Sequence, residues 1–145
     1  MTLSFLERSN PSLVKAGPVL AVRVETVLAV QEAMQADGEA VPSASTTMLI
    51  DTGASGTLIQ TAVVTSLGFV SLGTVFLRTP TTTEPVPRDQ FLVRLVLAED
   101  IAFEVEVVEA PLVDQGIQGL IGRDILRLLK FVYDGPGSRF TISIP

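Results

Sequence analysis

An apolar run, Met48-Leu49-Ile50, leads straight into Asp51-Thr52-Gly53-Ala54-Ser55, and the Asp-Thr-Gly triplet occurs once in the 145 residues. Consecutive apolar residues that stop at a turn read as a strand buried against a sheet. Gly53, lacking a side chain, permits a tight turn and lets another backbone come close. The triplet constrains the fold in two ways: it needs a sheet to end on, and it fixes one carboxylate at that sheet's rim. The plainer alternative is a structural turn in which Asp51 caps nearby amides.

Composition narrows the chemistry open to such a carboxylate. The chain has no His and no Cys. A Ser-His-Asp triad, a Cys-His dyad, an imidazole metal site and disulfides are therefore excluded. No cofactor or metal is called for, and carboxylate chemistry leads what remains. A net charge of −6 with scattered Lys and Arg gives no field for nucleic acid or anionic lipid. The most apolar stretch, Val19 to Val30, is broken by Arg23 and Glu25 and is too short to span a membrane. With no targeting signal in the first residues, the expectation is a cytoplasmic protein. The mean hydropathy of +0.48 fits either a buried subunit interface or a Val/Ala-rich core.

The order of elements reads as mainly β. Residues 1–17 form a polar arm, and residues 18–145 a single domain. Val19 to Val30 reads as a strand or hairpin arm, and Gln31 to Thr46, with Asp37-Gly38 and Pro42, as a turn or exposed loop. Thr47 to Ile50 is the strand delivering Asp51, and Thr57-Leu58-Ile59 another. Thr61 to Leu67 fits a short helix, with Thr61 as N-cap and Gly68 as C-cap. Leu72 to Arg78 and Phe91 to Leu97 suggest a long hairpin around a proline-rich tip. Ile101 to Val108 alternates apolar and acidic residues, as a half-buried strand does. Arg123 to Lys130 fits a second short helix, followed by closing strands around Asp134-Gly135-Pro136-Gly137. Leu49-Ile50 before one turn is echoed by Leu120-Ile121 before Gly122.

Two carboxylates that share one water can hydrolyse a peptide: one acts as general base, and the other, protonated, polarises the carbonyl. Like charges so close share a proton and titrate as a unit. A chain with one Asp-Thr-Gly has to take the second carboxylate from elsewhere, most simply from an identical copy. The apolar approach to Asp51-Thr52-Gly53-Ala54-Ser55, with the later Leu120-Ile121-Gly122-Arg123-Asp124-Ile125-Leu126, resembles the retropepsin-like family of single-lobe aspartic proteases from about Val19 onward. The resemblance implies a closed β-barrel-like lobe with one or two short helices, a flap hairpin over the cleft, and a homodimer acting on peptide or protein. It places the water-holding carboxylate at Asp51, the cross-dimer threonine at Thr52 and the substrate-contacting glycine at Gly53. Ala54 and Ser55 complete the turn, with Gly122, Arg123 and Asp124 as structural residues near the site.

The chain departs from the family pattern at three points. Ser55 stands where many retroviral members carry an Asp that pairs with the helix arginine, so Arg123 needs another partner, with Asp124 or a group across the dimer as candidates. The flap segment between Phe76 and Phe91 has three prolines and no glycine. The helix at Thr61 to Leu67 is an addition to the minimal lobe. A non-catalytic dimeric module that binds peptide in the same cleft is the rival reading. A phospho-acceptor role for Asp51 would need an acidic magnesium cluster and strand-helix alternation that the chain lacks.

Overall fold

The computed structural model of the chain describes residues 4–78, 83–112 and 116–145. In chain order its elements are β1 (Ser4–Ser9), α1 (Leu13–Ala16), β2 (Val19–Glu25), α2 (Leu28–Ala36), β3 (Ser43–Ile50), β4 (Leu58–Gln60) and α3 (Thr61–Leu67). There follow β5 (Gly73–Leu77), β6 (Val86–Ala98), β7 (Ile101–Ala110), β8 (Gly119–Ile121), α4 (Arg123–Leu126), β9 (Lys130–Asp134) and β10 (Arg139–Ile144).

Seven strands run in the order β2-β3-β8-β4-β7-β6-β5, and β6 also pairs with β2. Six of them therefore close into a barrel, with β5 outside the ring. Closure depends on the thirteen residues of β6. Its first half pairs with β5 from Leu77↔Val86 to Gly73↔Gln90. Its second half pairs with β2 through Glu25↔Arg94, Val24↔Leu95 and Arg23↔Val96. Period-2 alternation decides what goes inside: Phe91, Val93, Leu95 and Leu97 of β6 are buried, as are Leu20, Val22 and Val24 of β2. Val24, Met48, Ile59, Val93, Leu95, Ile101, Val107 and Ile121 are 0% exposed and form the centre of the barrel. Burying each such side chain contributes about 1.5–3 kcal/mol. The one polar intruder on the inner face of β3, Thr46, donates its hydroxyl to Val22 O at 2.7 Å, which meets its hydrogen-bonding need.

A second sheet, β1-β10-β9, joins the two ends of the chain. Residues 4–9, read from sequence within a polar arm, pair with β10 from Ser4↔Ile144 to Ser9↔Arg139. Leu6, Phe140 and Ile142 are buried in the same core as the barrel. Local sequence gave no sign of β1, because its hydrogen-bond partner comes from the far end of the chain.

Among the described residues, four short helices stand where one or two were expected. The largest difference is α2, which occupies part of the segment read as strand and loop. Its residues, Leu28-Ala29-Val30-Gln31-Glu32-Ala33-Met34-Gln35-Ala36, are mostly strong helix formers, and Asp37-Gly38 is its end, with Gly38 at φ 72°. The β-branched run before it masked the change of period. Its start is fixed from outside, by Glu104 of β7 accepting the Leu28 N–H at 2.9 Å. α3 matches its reading, with Gly68 left-handed at φ 69°. Thr61, however, is its first helical residue, and its hydroxyl donates to Glu109 on the neighbouring β7 rather than capping the helix. α4 stops at Leu126, short of the expected Lys130. Bonds from Leu128 N to Ile125 O and from Leu129 N to Leu126 O tighten the chain into a turn, and Lys130 already pairs with Ser143 in β9.

Candidate active site

The barrel is largely antiparallel, but β8 inserts parallel to β3 in the register Met48↔Gly119, Leu49↔Leu120, Ile50↔Ile121. The two Leu-Ile echoes thus lie side by side and reach the same rim together. Beyond that rim their turns are tied to each other. Asp51 N donates to Ile121 O at 2.9 Å, and Arg123 N donates to Ala54 O at 2.9 Å. Ala54 N closes the first turn on Asp51 O at 3.2 Å.

Gly122 allows this approach. A Cβ built on it would lie 2.4 Å from Gly56 O and 2.5 Å from Gly56 C, distances that no side chain tolerates against backbone. Gly119 is similarly confined, with Leu58 O 2.9 Å from its would-be Cβ. Gly53 is not among the positive-φ glycines, so what its missing side chain supplies is space. A Cβ there would sit 3.1 Å from Asp51 Oδ1.

Asp51 itself is half-buried. Its Oδ1 accepts the Gly53 N–H at 2.9 Å, which is the amide-capping bond of an Asx turn. Its Oδ2 has no hydrogen-bond partner among the described residues. Thr52 and Ser55 are exposed, and the Ser55 hydroxyl has no partner among the described residues.

The arginine finds a partner that sequence reasoning did not name. Arg123 Nη1 donates to Thr52 O at 2.7 Å, which locks the middle of the turn from outside. Asp124, proposed as its ion-pair partner, is engaged elsewhere. Its Oδ1 accepts the Thr57 hydroxyl at 2.8 Å and the Ile125 N–H at 2.9 Å, and its Oδ2 accepts the Thr57 N–H at 3.1 Å. The Thr57 hydroxyl in turn accepts the Gly122 N–H at 3.2 Å. Thr57, 1% exposed, is the site residue that the sequence reading missed as such. Its partner lies 67 positions away, and no local pattern joins the two.

Next to the Asp51 turn, Thr52, Arg123, Leu126, Arg127, Leu129 and Phe131 line an open hollow of about 340 Å³. Leu128, Val132 and Tyr133, from the same α4–β9 segment, are also exposed. Among the described residues, no group of three or more His, Cys, Asp or Glu gathers where it could hold a metal ion. The tip of the β5–β6 hairpin at 79–82 lies outside the described residues.

A closed barrel whose parallel β3 and β8 present an Asp-Thr-Gly turn clamped by Gly-Arg-Asp defines the lobe of an aspartic protease. The family model described as aspartyl protease matches residues 34–125, well over half of the chain, and the chain belongs to this retropepsin-like family. The match takes in both turns and their strands, and leaves out β1, β2, β9 and β10. No curated protein matches the chain.

Proposed function

We propose that two copies of the chain join with their Asp51 turns facing each other and act as an aspartic endopeptidase. One Asp51 carboxylate takes a proton from a water held between the pair, and the oxygen of that water attacks the scissile carbonyl carbon. The partner subunit's Asp51, protonated, gives its proton to the carbonyl oxygen. Collapse of the gem-diol breaks the C–N bond: one of its hydroxyls returns a proton to the partner's Asp51, and the leaving nitrogen takes a proton from the carboxyl that first acted as base. Thr52 supports the contact between turns, and Gly53 leaves room for the substrate main chain. The protease domain is residues 18–145 together with β1, whose Leu6 shares its core; the β5–β6 hairpin serves as the flap, and the enzyme works in the cytoplasm.

The observation carrying this reading is the state of Asp51. Its carboxylate sits half-buried at the barrel rim with one amide donor on Oδ1 and, among the described residues, none on Oδ2, while the nearby Asp124 accepts from three donors. The apolar hollow beside the turn, and the exposed Leu128, Val132 and Tyr133, support a subunit interface there, since obligate interfaces are more apolar than ordinary surface. No helix among the described residues is long and apolar enough to cross a membrane.

The test is cleavage of unstructured peptides from acidic to neutral pH by the wild type and by Asp51→Asn. Removing the base is expected to cost about 10²–10⁴-fold in rate. Equal cleavage by both proteins would sink the assignment. Peptide binding without cleavage by the wild type would point to the non-catalytic module. Sedimentation that shows only a 15 kDa species at micromolar concentration, with or without peptide, would remove the shared site.

A further inference from the structure

On the outer wall of the barrel, where β1 passes the seam between β2 and β6, lies a dish of about 500 Å³. Arg8, Arg23, Arg94, Val96, Ala98 and Glu99 are among the residues lining it. Its charge is out of balance. Arg23 Nε and Arg94 Nε both approach one carboxylate, Glu25, at 3.0 Å and 3.2 Å. Glu25 is already taken up further by Gln31, whose Nε2 donates to it at 3.0 Å. Two guanidinium groups therefore share one neutralising charge.

The geometry leaves donors over as well. Both arginines meet Glu25 through Nε, and among the described residues their Nη atoms make no hydrogen bonds. Arg94 Nε is buried and, despite its distance to Glu25, has no aligned acceptor. Glu104, opposite Arg94 in the β6–β7 register, is turned to the Leu28 amide. Arg8 adds a third guanidinium, its Nη1 bonded only to Glu7 O. Against these, Glu99 is the one acid among the lining residues. In a chain of net charge −6, an arginine-lined concavity with surplus donors is a local reversal of sign. Guanidinium forks match carboxylate and phosphate oxygens, and the apolar floor of Val96 and Ala98 suits the carbon body of an organic ligand.

We infer that this dish binds an organic or condensed polyanion carrying two or more carboxylate or phosphate groups, at a site on the barrel wall separate from the Asp51 turn. The reading is independent of proteolysis.

The test is amide chemical-shift titration of the intact protein at low ionic strength, with citrate and pyrophosphate as separate probes. Saturable shifts confined to the residues around the dish, on β1, β2, the facing part of β3 and the second half of β6, are expected with at least one probe, and the tighter probe names the anion class. Arg23→Gln, an exposed position whose loss does not threaten the core, is expected to weaken that binding about tenfold, because a charge-assisted pair of this kind is lost. Arg94→Gln is expected to weaken it further, and Arg139→Gln, on the β9–β10 hairpin, is expected to leave it unchanged. Absence of saturable shifts with both probes overturns the inference. So does unchanged binding in Arg23→Gln, or equal loss in Arg139→Gln.

Discussion

The ends of β3 and β8 are built alike and used differently. Each carries Leu-Ile to the same rim, and the two run in parallel register. After β3 the chain presents Asp51, half-buried, with a single amide on Oδ1. After β8 it presents Gly122 against the Gly56 backbone, then Asp124 with three donors on its two oxygens. A carboxylate whose acceptor sites are filled by its own chain is a structural clamp. One with an oxygen left open at the surface is available for water or substrate. Glu25 falls on the clamp side, held by Gln31 and two arginines.

The largest test of that contrast is the pair Asp51→Asn and Asp124→Asn. The first should reduce peptide hydrolysis by about 10²–10⁴-fold while leaving the thermal midpoint nearly unchanged. The second should do the opposite, lowering stability while leaving measurable cleavage. Gly122→Ala should be the most destabilising single change at the rim, by about 3 kcal/mol in denaturant unfolding, because its Cβ meets backbone that cannot yield. Asp124→Ala strands the buried Thr57 hydroxyl and amide, and should cost about 1–3 kcal/mol. If Thr57→Val with Asp124→Ala recovers part of that loss in a double-mutant cycle, the clamp is confirmed as a coupled pair. Gly53→Ala pushes on Asp51 Oδ1 by only a few tenths of an ångström, and should cut activity about tenfold with under about 1 kcal/mol of stability lost.

The smallest effect concerns pH. Burial raises the Glu25 carboxyl, but hydrogen bonds from Gln31 and Arg23 and the charges of Arg23 and Arg94 together outweigh it, holding Glu25 below its ordinary value of 4.5. A depressed folded-state pKa gives stability that is present above the unfolded value and lost as pH falls through the folded one. Thermal midpoints of the wild type should therefore fall below about pH 4.5, and Glu25→Gln should flatten that part of the curve. A parallel fall in both proteins would show that Glu25 is not the group responsible.

Much of the site could be read in the chain because its parts are local. Asp51-Thr52-Gly53 and Gly122-Arg123-Asp124 are short turns whose chemistry follows from residue type, and α3 carries its own glycine stop. Strand β5 and the alternation of β7 were legible for the same reason, whereas the half of β6 that pairs with β5, residues 86–90, lies mostly outside the strand read from Phe91 to Leu97, in and just after the proline-rich connection. What escaped was what depends on partners far along the chain. β1 exists because β10 pairs with it. α2, with no buried residue of its own, begins where Glu104 caps it. Thr57 joins the site only because β4 and β8 lie side by side, which brings Asp124 onto it and turns Arg123 to Thr52 O.

The sequence by itself determined that a carboxylate would stand at a tight turn after an apolar strand, and that neither imidazole nor thiol would compete with it. Those conclusions rest on residue identity and nearest-neighbour geometry. Only the tertiary structure decided which carboxylate was left open. Asp51 and Asp124 are the same side chain on similar local patterns, and the difference between them lies in hydrogen-bond donors that the closed barrel brings together from distant parts of the chain.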